Sequence, residues 1–128
     1  MCIRDRFIGA CAGLCMAAGN GSGVSIGVSA GRRLITGCQV AVGAYALDNN
    51  QNGIGNTAVG YKALCVMNGA NQNTALGECA LAAQTNASGN TAIGFQTGIA
   101  TTEGGCNTYI GACAGRNSIC YNLSLIHI

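Results

Sequence analysis

The 128-residue chain contains no proline and no tryptophan, and only 8% of its residues are charged. Six lysines and arginines against four acidic residues give a formal net charge of +2, too little for a basic patch that binds nucleic acid. Disordered chains combine high charge with few apolar groups, whereas 49% of these residues are hydrophobic. No run approaches the roughly 18 apolar residues that a membrane span needs. We therefore expect a folded chain with no nucleic-acid partner and no membrane span in this fragment.

The chain also lacks the side chains from which most catalytic and metal sites are built. Its single histidine is His127, near the C-terminus, and no Cys-x-x-Cys pair occurs. Beyond the first six residues, the carboxylates are Asp48, Glu78 and Glu103, which occupy unrelated positions of the repeat described below. No general acid–base pair is specified. We therefore expect a protein that is not an enzyme and that uses no cofactor and no metal ion.

Both ends of the chain read as translated oligonucleotide. The DNA string ATGTGTATAAGAGACAG encodes the opening residues MCIRD and begins an arginine or serine codon. Its reverse complement, CTGTCTCTTATACACAT, encodes the closing residues LSLIH and begins an isoleucine or methionine codon. The string resembles the transposase adapter used in sequencing libraries. We therefore assign residues 1–6 and 123–128 to adapter sequence, and residues 7–122 to an internal, metagenomic fragment of a repeat region.

A short motif recurs seven times, from FIGACAG near the start to YIGACAG near the end. Each copy has a central glycine, and successive glycines are 18, 16, 17, 17, 17 and 17 residues apart. Spacing this even indicates a stack of equivalent structural units. Positions in a repeat are counted below from this glycine, as position 0. The repeat glycines are Gly9, Gly27, Gly43, Gly60, Gly77, Gly94 and Gly111.

Position −1 is a branched aliphatic residue in every copy. This uniform column predicts a buried stripe, the structural core of the repeat, in which each side chain rests on its counterpart one coil away. Position +3 is alanine in six copies, which indicates a close approach across a thin coil or to a neighbouring chain. Position +4 is either glycine or leucine. The predicted core residues are Ile8, Ile26, Val42, Val59, Leu76, Ile93 and Ile110.

Asparagine and threonine occupy positions −4 and −3 in the last four copies. Stacked asparagines can hydrogen-bond along a ladder, and they tolerate the left-handed backbone of a corner. Threonine followed by a small and then an aliphatic residue suits a short strand. The predicted ladder consists of Asn56, Asn73, Asn90 and Asn107 with Thr57, Thr74, Thr91 and Thr108.

A period near 17 residues is too short for helical-hairpin repeats, which need about 30 residues or more. It fits one β-solenoid coil of two short strands and two turns, with turn signals such as Asn68-Gly69 in each period. We therefore predict an all-β fold, a β-solenoid (β-roll or β-helix) of about seven 17-residue coils. One such stack has few large side chains, so a parallel homotrimer would supply the missing burial.

Nine cysteines are present, but their placement does not suggest a disulfide framework. Cys11, Cys79 and Cys113 share position +2, where other copies carry serine, tyrosine, lysine or glutamine. Cys79 and Cys113 lie two coils apart, about 10 Å, which is too far for a bridge. Reduced, structural thiols are therefore favoured over disulfides and over a metal site.

The units GNTAVGYKAL, QNTALGECAL and GNTAIGFQTG resemble the NTAIG-type repeats of phage tail fibres. They are also similar to the head repeats of trimeric autotransporter adhesins, which carry an AIG core on a shorter period. The resemblance covers nearly all of residues 7–115. It implies three parallel chains that form a fibre with a receptor-binding surface. The period and the Asn-rich turns look more like the phage version, and the cysteines favour assembly in a reducing cytoplasm.

Other solenoid classes fit less well. The IGxxAx unit matches the hexapeptide of left-handed β-helix acyltransferases, but it occurs once per repeat instead of several times per coil, and no histidine lies outside the adapter segments. Ice-binding solenoids usually carry Thr-x-Thr on a flat face, whereas each threonine here is followed by alanine or tyrosine and then an aliphatic residue. Calcium-binding nonapeptide repeats need an aspartate in each unit, and outside the adapter segments Asp48 stands alone.

We therefore expect a structural and adhesive segment, the shaft or head of a phage tail fibre that takes part in host attachment and is located in the virion. Its partners would be further copies of itself and a host receptor, such as a glycan or an outer-membrane component. The alternative is the head of a trimeric autotransporter adhesin on a bacterial cell surface. A weaker alternative is a stand-alone solenoid such as an ice-binding protein.

Overall fold

The fold is given by a computed structural model that describes residues 6–14, 23–35 and 37–117. Seven three-residue strands form one sheet in chain order, and every neighbouring pair is parallel. The described residues contain no helix. The strands are β1 Arg6–Ile8, β2 Val24–Ile26, β3 Val40–Val42, β4 Thr57–Val59, β5 Thr74–Leu76, β6 Thr91–Ile93 and β7 Thr108–Ile110. The coil that contains each strand takes the same number below.

Each strand pairs with the equivalent strand of the next coil, residue by residue. Thr57 faces Thr74, and Ala58 faces Ala75. The prediction of an all-β, parallel solenoid is therefore confirmed. The expected second strand of each coil is replaced by turns, which are also bonded from coil to coil. For example, the Leu64 N–H donates to the Ala80 carbonyl at 3.1 Å.

The first strand begins at Arg6, the last residue of the segment assigned to adapter sequence. The Arg6 N–H donates to the Gly23 carbonyl at 3.1 Å, a backbone contact that any residue type except proline can make. The other residues of that segment, and the assigned C-terminal segment 123–128, lie outside the described residues. Within the described ranges, no apolar helix of membrane-spanning length is present.

The prediction that position −1 forms the buried core is wrong for a single chain. Ile8 is 63% exposed, Leu76 45% and Ile110 41%. Side chains along a strand point alternately to opposite faces, and in these short strands the middle residue at −2 points inward. Ala58 and Ala75 at that position are fully buried. The seven aliphatic residues are exposed or half-buried: Ile8, Ile26, Val42, Val59, Leu76, Ile93 and Ile110.

The observed core is thin, and in coils 3, 4 and 5 it pairs a small side chain at −2 with a large one at +4. In coil 4, alanine at −2 accompanies leucine at +4, and both Ala58 and Leu64 are fully buried. In coil 7 the sizes are reversed, because a Cβ on Gly115 would overlap the ring of Tyr109. The same ring also covers Gly98 of coil 6, at 3.1 Å from an added Cβ. Close packing thus explains why position +4 changes between leucine and glycine.

Position +4 also has a left-handed backbone. The φ angle is +50° at Leu47, Leu64 and Leu81, and +56° to +65° at the glycines that occupy the same position in other coils. This conformation costs a leucine roughly 1–2 kcal/mol. Full burial of its side chain contributes about 1.5–3 kcal/mol, which offsets the strain. Leucine is therefore tolerated at a position whose backbone favours glycine.

The repeat glycines lie where consecutive coils touch backbone to backbone. A Cβ on Gly43 would lie 2.6 Å from the carbonyl oxygen of Gly60, and one on Gly60 would lie 2.5 Å from that of Gly77. Their φ angles are +122°, +132° and +140°, which L side chains rarely adopt. Both the contact and the conformation therefore require glycine at position 0.

Fully buried asparagines at position −4 form a continuous ladder behind the strands. The Oδ1 atom of Asn56 accepts the backbone N–H of Asn73 at 2.9 Å, and the Oδ1 atom of Asn73 accepts that of Asn90 at 2.8 Å. The Asn56 side-chain amide donates to the Ala70 carbonyl of the next coil at 2.8 Å. The left-handed corner residue is the one before each asparagine, such as Gln72 with φ +56°, and not the asparagine itself.

We predict that Asn73→Ala lowers the free energy of unfolding by about 2–4 kcal/mol, because it leaves the buried Asn90 N–H without its acceptor and removes a donor to the Ala87 carbonyl. The matched control is Asn86→Ala, which replaces an exposed asparagine between β5 and β6. It should change the free energy of unfolding by no more than about 0.5 kcal/mol. Urea unfolding followed by circular dichroism at one protein concentration measures both. Equal losses in the two variants would contradict a structural role for the ladder.

Candidate interaction surface

The strand alternation gives the solenoid one continuous outward face. Positions −3 and −1 point outward, because position −2 between them points into the core. The register places Thr57, Thr74, Thr91 and Thr108 in one column. The aliphatic residues at −1 form a second column beside it. We call these two columns the Thr–aliphatic face; its members are Val24, Val40, Thr57, Thr74, Thr91 and Thr108, with Ile8, Ile26, Val42, Val59, Leu76, Ile93 and Ile110.

Exposed apolar side chains also occupy position +1, which follows the repeat glycine. Val28 is 49% exposed, Tyr61 44% and Phe95 47%. Glu78 is the charged residue of this column. Single exposed apolar residues are normal on soluble proteins, but a contiguous array along a surface marks a contact site. The Thr–aliphatic face and its neighbouring column are therefore the candidate interaction surface.

A cluster of two aromatic side chains and one lysine lies in the turns of coils 3 and 4, beside the Thr–aliphatic face. The rings of Tyr45 and Tyr61 meet edge to face, with their centroids 6.2 Å apart. The Lys62 Nζ atom lies 5.2 Å from the centroid of the Tyr61 ring, in the range of a cation–π contact. The three side chains stabilise one another on the surface. Phe95, two coils further along, has the largest exposed fraction of these aromatic side chains.

An ion pair joins coils 2 and 3 in the turn that follows position +4. The Nε and Nη2 atoms of Arg32 donate to the two carboxylate oxygens of Asp48 at 2.8 and 3.2 Å. Arg33 donates to the side-chain oxygen of Asn49 at 3.0 Å. The Arg32-Arg33 pair therefore holds consecutive turns together, and partly exposed pairs of this kind contribute about 0–1 kcal/mol each.

The carboxylates lie in three separate columns of the solenoid. Asp48 is paired with Arg32, Glu78 is exposed at +1, and Glu103 is exposed at +9. Within the described residues, no group of three or more His, Cys, Asp or Glu side chains could hold a metal ion.

Six cysteines fall within the described residues, and none of these six is in a disulfide. Cys11, Cys38 and Cys106 are exposed, whereas the others are half-buried. The Cys65 Sγ atom lies 3.6 Å from the Ala82 carbonyl oxygen of the next coil. Burial raises the pKa of the Cys65 thiol, and the neighbouring Cys79 adds to this effect.

The Thr–aliphatic face combines the threonine column at −3 and the aliphatic column at −1, which the sequence pattern presents as separate features. The threonines are expected in a short strand and the aliphatic stripe in the core, but the structure places the two columns side by side on the outside. The segments Thr-Ala-Val, Thr-Ala-Leu and Thr-Ala-Ile contain the signal that reveals this. Their middle residue is small, because a leucine at +4 or the Tyr109 ring fills the neighbouring space inside these coils.

Comparison with known proteins gives no relative for this chain. No protein-family model matches it, and no curated protein or solved structure is similar to it. The geometry of the Thr–aliphatic face and the pattern of the repeat are therefore the basis for a functional proposal.

We predict that Cys65 is alkylated several-fold more slowly than Cys38 and Cys106. A raised pKa leaves a smaller fraction of the reactive thiolate at any given pH, and burial also limits access by the reagent. Iodoacetamide labelling at pH 8, followed by peptide mass spectrometry, measures the rates site by site. The same labelling in urea is the control, because unfolding should bring the three rates close together. A faster reaction at Cys65 in the folded protein would contradict its half-buried position.

Proposed function

We propose that this chain is a structural and adhesive segment of a fibre in which three parallel copies bury their Thr–aliphatic faces against one another. The observation that carries the proposal is the outward aliphatic column, which runs along all seven coils. The five members other than Val42 and Val59 expose between 37% and 63% of their surface. Removing such surface from water is favourable by roughly 1 kcal/mol per side chain.

The shape of the solenoid supports a closed association of parallel copies. Every coil presents the same outward pair of positions, so two rods placed side by side repeat each contact at every coil. A threefold axis parallel to the rods would bring the three faces together and leave no apolar face open to further copies. The thin core gives a reason for association, because alanine and glycine supply little burial within one chain.

The proposed fibre is a phage tail fibre, either its shaft or its head, located in the virion and engaged in host attachment. The NTAIG-type pattern of the repeats supports this identity, and the free thiols fit assembly in a reducing cytoplasm before release. The head of a bacterial trimeric autotransporter adhesin is the alternative. In either case the turns would face the surroundings, and Phe95 and the Tyr45–Tyr61–Lys62 cluster are the side chains through which a glycan or outer-membrane receptor would bind.

The test of association is the absolute mass of the chain, measured by light scattering in reducing buffer. We expect a mass three times that of one chain. The double variant Leu76→Lys, Ile93→Lys introduces charge into the Thr–aliphatic face and should give a folded monomer. The matched control Ile54→Lys, Val66→Lys changes two apolar residues in the turns that are somewhat more exposed than Leu76 and Ile93, and it should remain trimeric. Circular dichroism checks that both variants are folded.

A monomeric wild-type protein would overturn the trimer, and a trimeric face variant would show that another surface forms it. The face variant and its control carry the same added charge, so a general effect of charge on association is excluded. The flanking genes then separate the two fibre classes: tail-assembly genes favour the phage, and an exported adhesin reading frame favours the bacterium.

Ice binding is a second candidate, favoured by one observation. The hydroxyl column of Thr57, Thr74, Thr91 and Thr108 and the aliphatic column at −1 lie on the same outward face of a regular parallel sheet. If the wild-type chain is a monomer, this face is open to ordered water. We then expect thermal hysteresis, and Thr74→Lys, Thr91→Lys should abolish it while Ile54→Lys, Val66→Lys preserves it. A monomer without hysteresis would exclude the candidate.

A further inference from the structure

Two Asn-Gly pairs within the described residues lie in turns of different construction. They are Asn52-Gly53 and Asn68-Gly69, and both asparagines are exposed. An asparagine followed by glycine is prone to an internal reaction, because the glycine nitrogen can attack the side-chain carbonyl carbon and no Cβ obstructs the approach. The outcome at each pair therefore depends on how firmly the glycine nitrogen is held.

The nitrogen of Gly53 is held inside the solenoid. It donates to the Oδ1 atom of buried Asn50 at 3.0 Å. The Gly53 carbonyl accepts a hydrogen bond from the buried Gln39 side chain. A Cβ on Gly53 would overlap the Ala70 carbonyl and the side chain of Asn50. Gly53 cannot turn its nitrogen toward Asn52 without breaking this buried network.

The surroundings of Gly69 are open. Gly69 is exposed, its φ angle is +85°, and no described atom lies within 4 Å of an added Cβ. Neither its N–H nor the side chain of Asn68 forms a hydrogen bond with the described part of the chain. The backbone N–H of Asn68 alone is fixed, since it donates to the Thr85 carbonyl at 3.0 Å.

We infer that Asn68 is a site of spontaneous deamidation and that Asn52 is protected from it. The Gly69 nitrogen forms a bond to the Asn68 side-chain carbonyl carbon, the bond from that carbon to Nδ2 breaks, and ammonia leaves with the proton from the Gly69 amide. The product is a five-membered succinimide. Water then opens the ring at either carbonyl and gives aspartate or isoaspartate. Water is the only co-reactant, and no oxidation or reduction takes place.

The modification alters the solenoid at one corner. Isoaspartate carries the backbone through its side chain, so the chain becomes one carbon longer in a turn whose equivalents are bonded from coil to coil. The Asn68 N–H donates to Thr85, and the Thr85 N–H donates to the Thr102 carbonyl at 3.3 Å. Conversion also adds a negative charge to a rod with few charges. This inference does not depend on the fibre proposal, because it needs only the folded chain.

The experiment incubates the whole chain at pH 8 and 37 °C in reducing buffer and follows each site by tryptic peptide mass spectrometry. Cleavage after Arg33, Lys62 and Arg116 places Asn52 and Asn68 in different peptides, 34–62 and 63–116. Replacement of the amide by an acid, localised by fragmentation, reports conversion. We expect Asn68 to convert at least about tenfold faster than Asn52, because reaction at Asn52 first requires local opening of a buried network.

The same chain unfolded in urea is the control, because both pairs should then convert at similar rates. Asn50→Ala removes the acceptor that holds the Gly53 nitrogen, and it should speed conversion at Asn52 while leaving Asn68 unchanged. Asn68→Gln should abolish conversion at position 68, since glutamine closes a ring of this kind far more slowly. Equal rates at the two sites in the folded wild type, or faster conversion at Asn52, would overturn the inference.

Discussion

The solenoid depends on one demand: the backbone polar groups inside a coil must be paired, and most of them find their partner in an adjacent coil. The strands satisfy this demand for only three residues per coil. The buried asparagines extend it around the corner where each strand begins, because the side chains of Asn56, Asn73 and Asn90 each accept from one backbone N–H of the next coil and donate to one of its carbonyls. Since both bonds run along the stack, they fix spacing and register together. A coil shifted by one residue would lose both bonds and would also turn its outward side chains inward.

This close spacing determines the composition of the chain. Backbone contact between coils requires glycine at position 0, and the small interior accepts alanine at −2 beside a few large side chains, such as Leu64 and Met67 in coil 4. Large apolar residues therefore have few positions inside, and the aliphatic column is left on the outer side of the strands. A thin interior and an apolar exterior are thus two results of the same constraint. A partner for the outer face would supply the burial that the interior lacks.

The sequence was sufficient to predict the solenoid class and its period, because seven glycines at near-equal spacing admit few other folds. It was not sufficient to predict which columns face inward. Ile93 is more apolar than Ala92, so hydrophobicity alone assigns isoleucine to the core, and the width of the coil reverses that assignment. The sequence also did not predict that coil 7 has its large residue, Tyr109, at −2 and its small residue, Gly115, at +4. The two residues are six positions apart and meet only when the turn closes. The left-handed backbone at Leu64 had no local signal, since leucine rarely adopts it.

The matching of small and large core residues determines which coils can be exchanged during evolution. Coils 4 and 5 contain the same pair, alanine at −2 and leucine at +4, so duplication or loss of one such unit in the gene would leave this pairing unchanged on both sides of the junction. Coil 7 is different, because the ring of Tyr109 also occupies the space above Gly98. Loss of coil 6 would bring that ring against Leu81. Recombination would therefore change the length of the rod by adding or removing coils in its middle, in steps of about 4.8 Å. Coil 7, which contains Tyr109, would be retained.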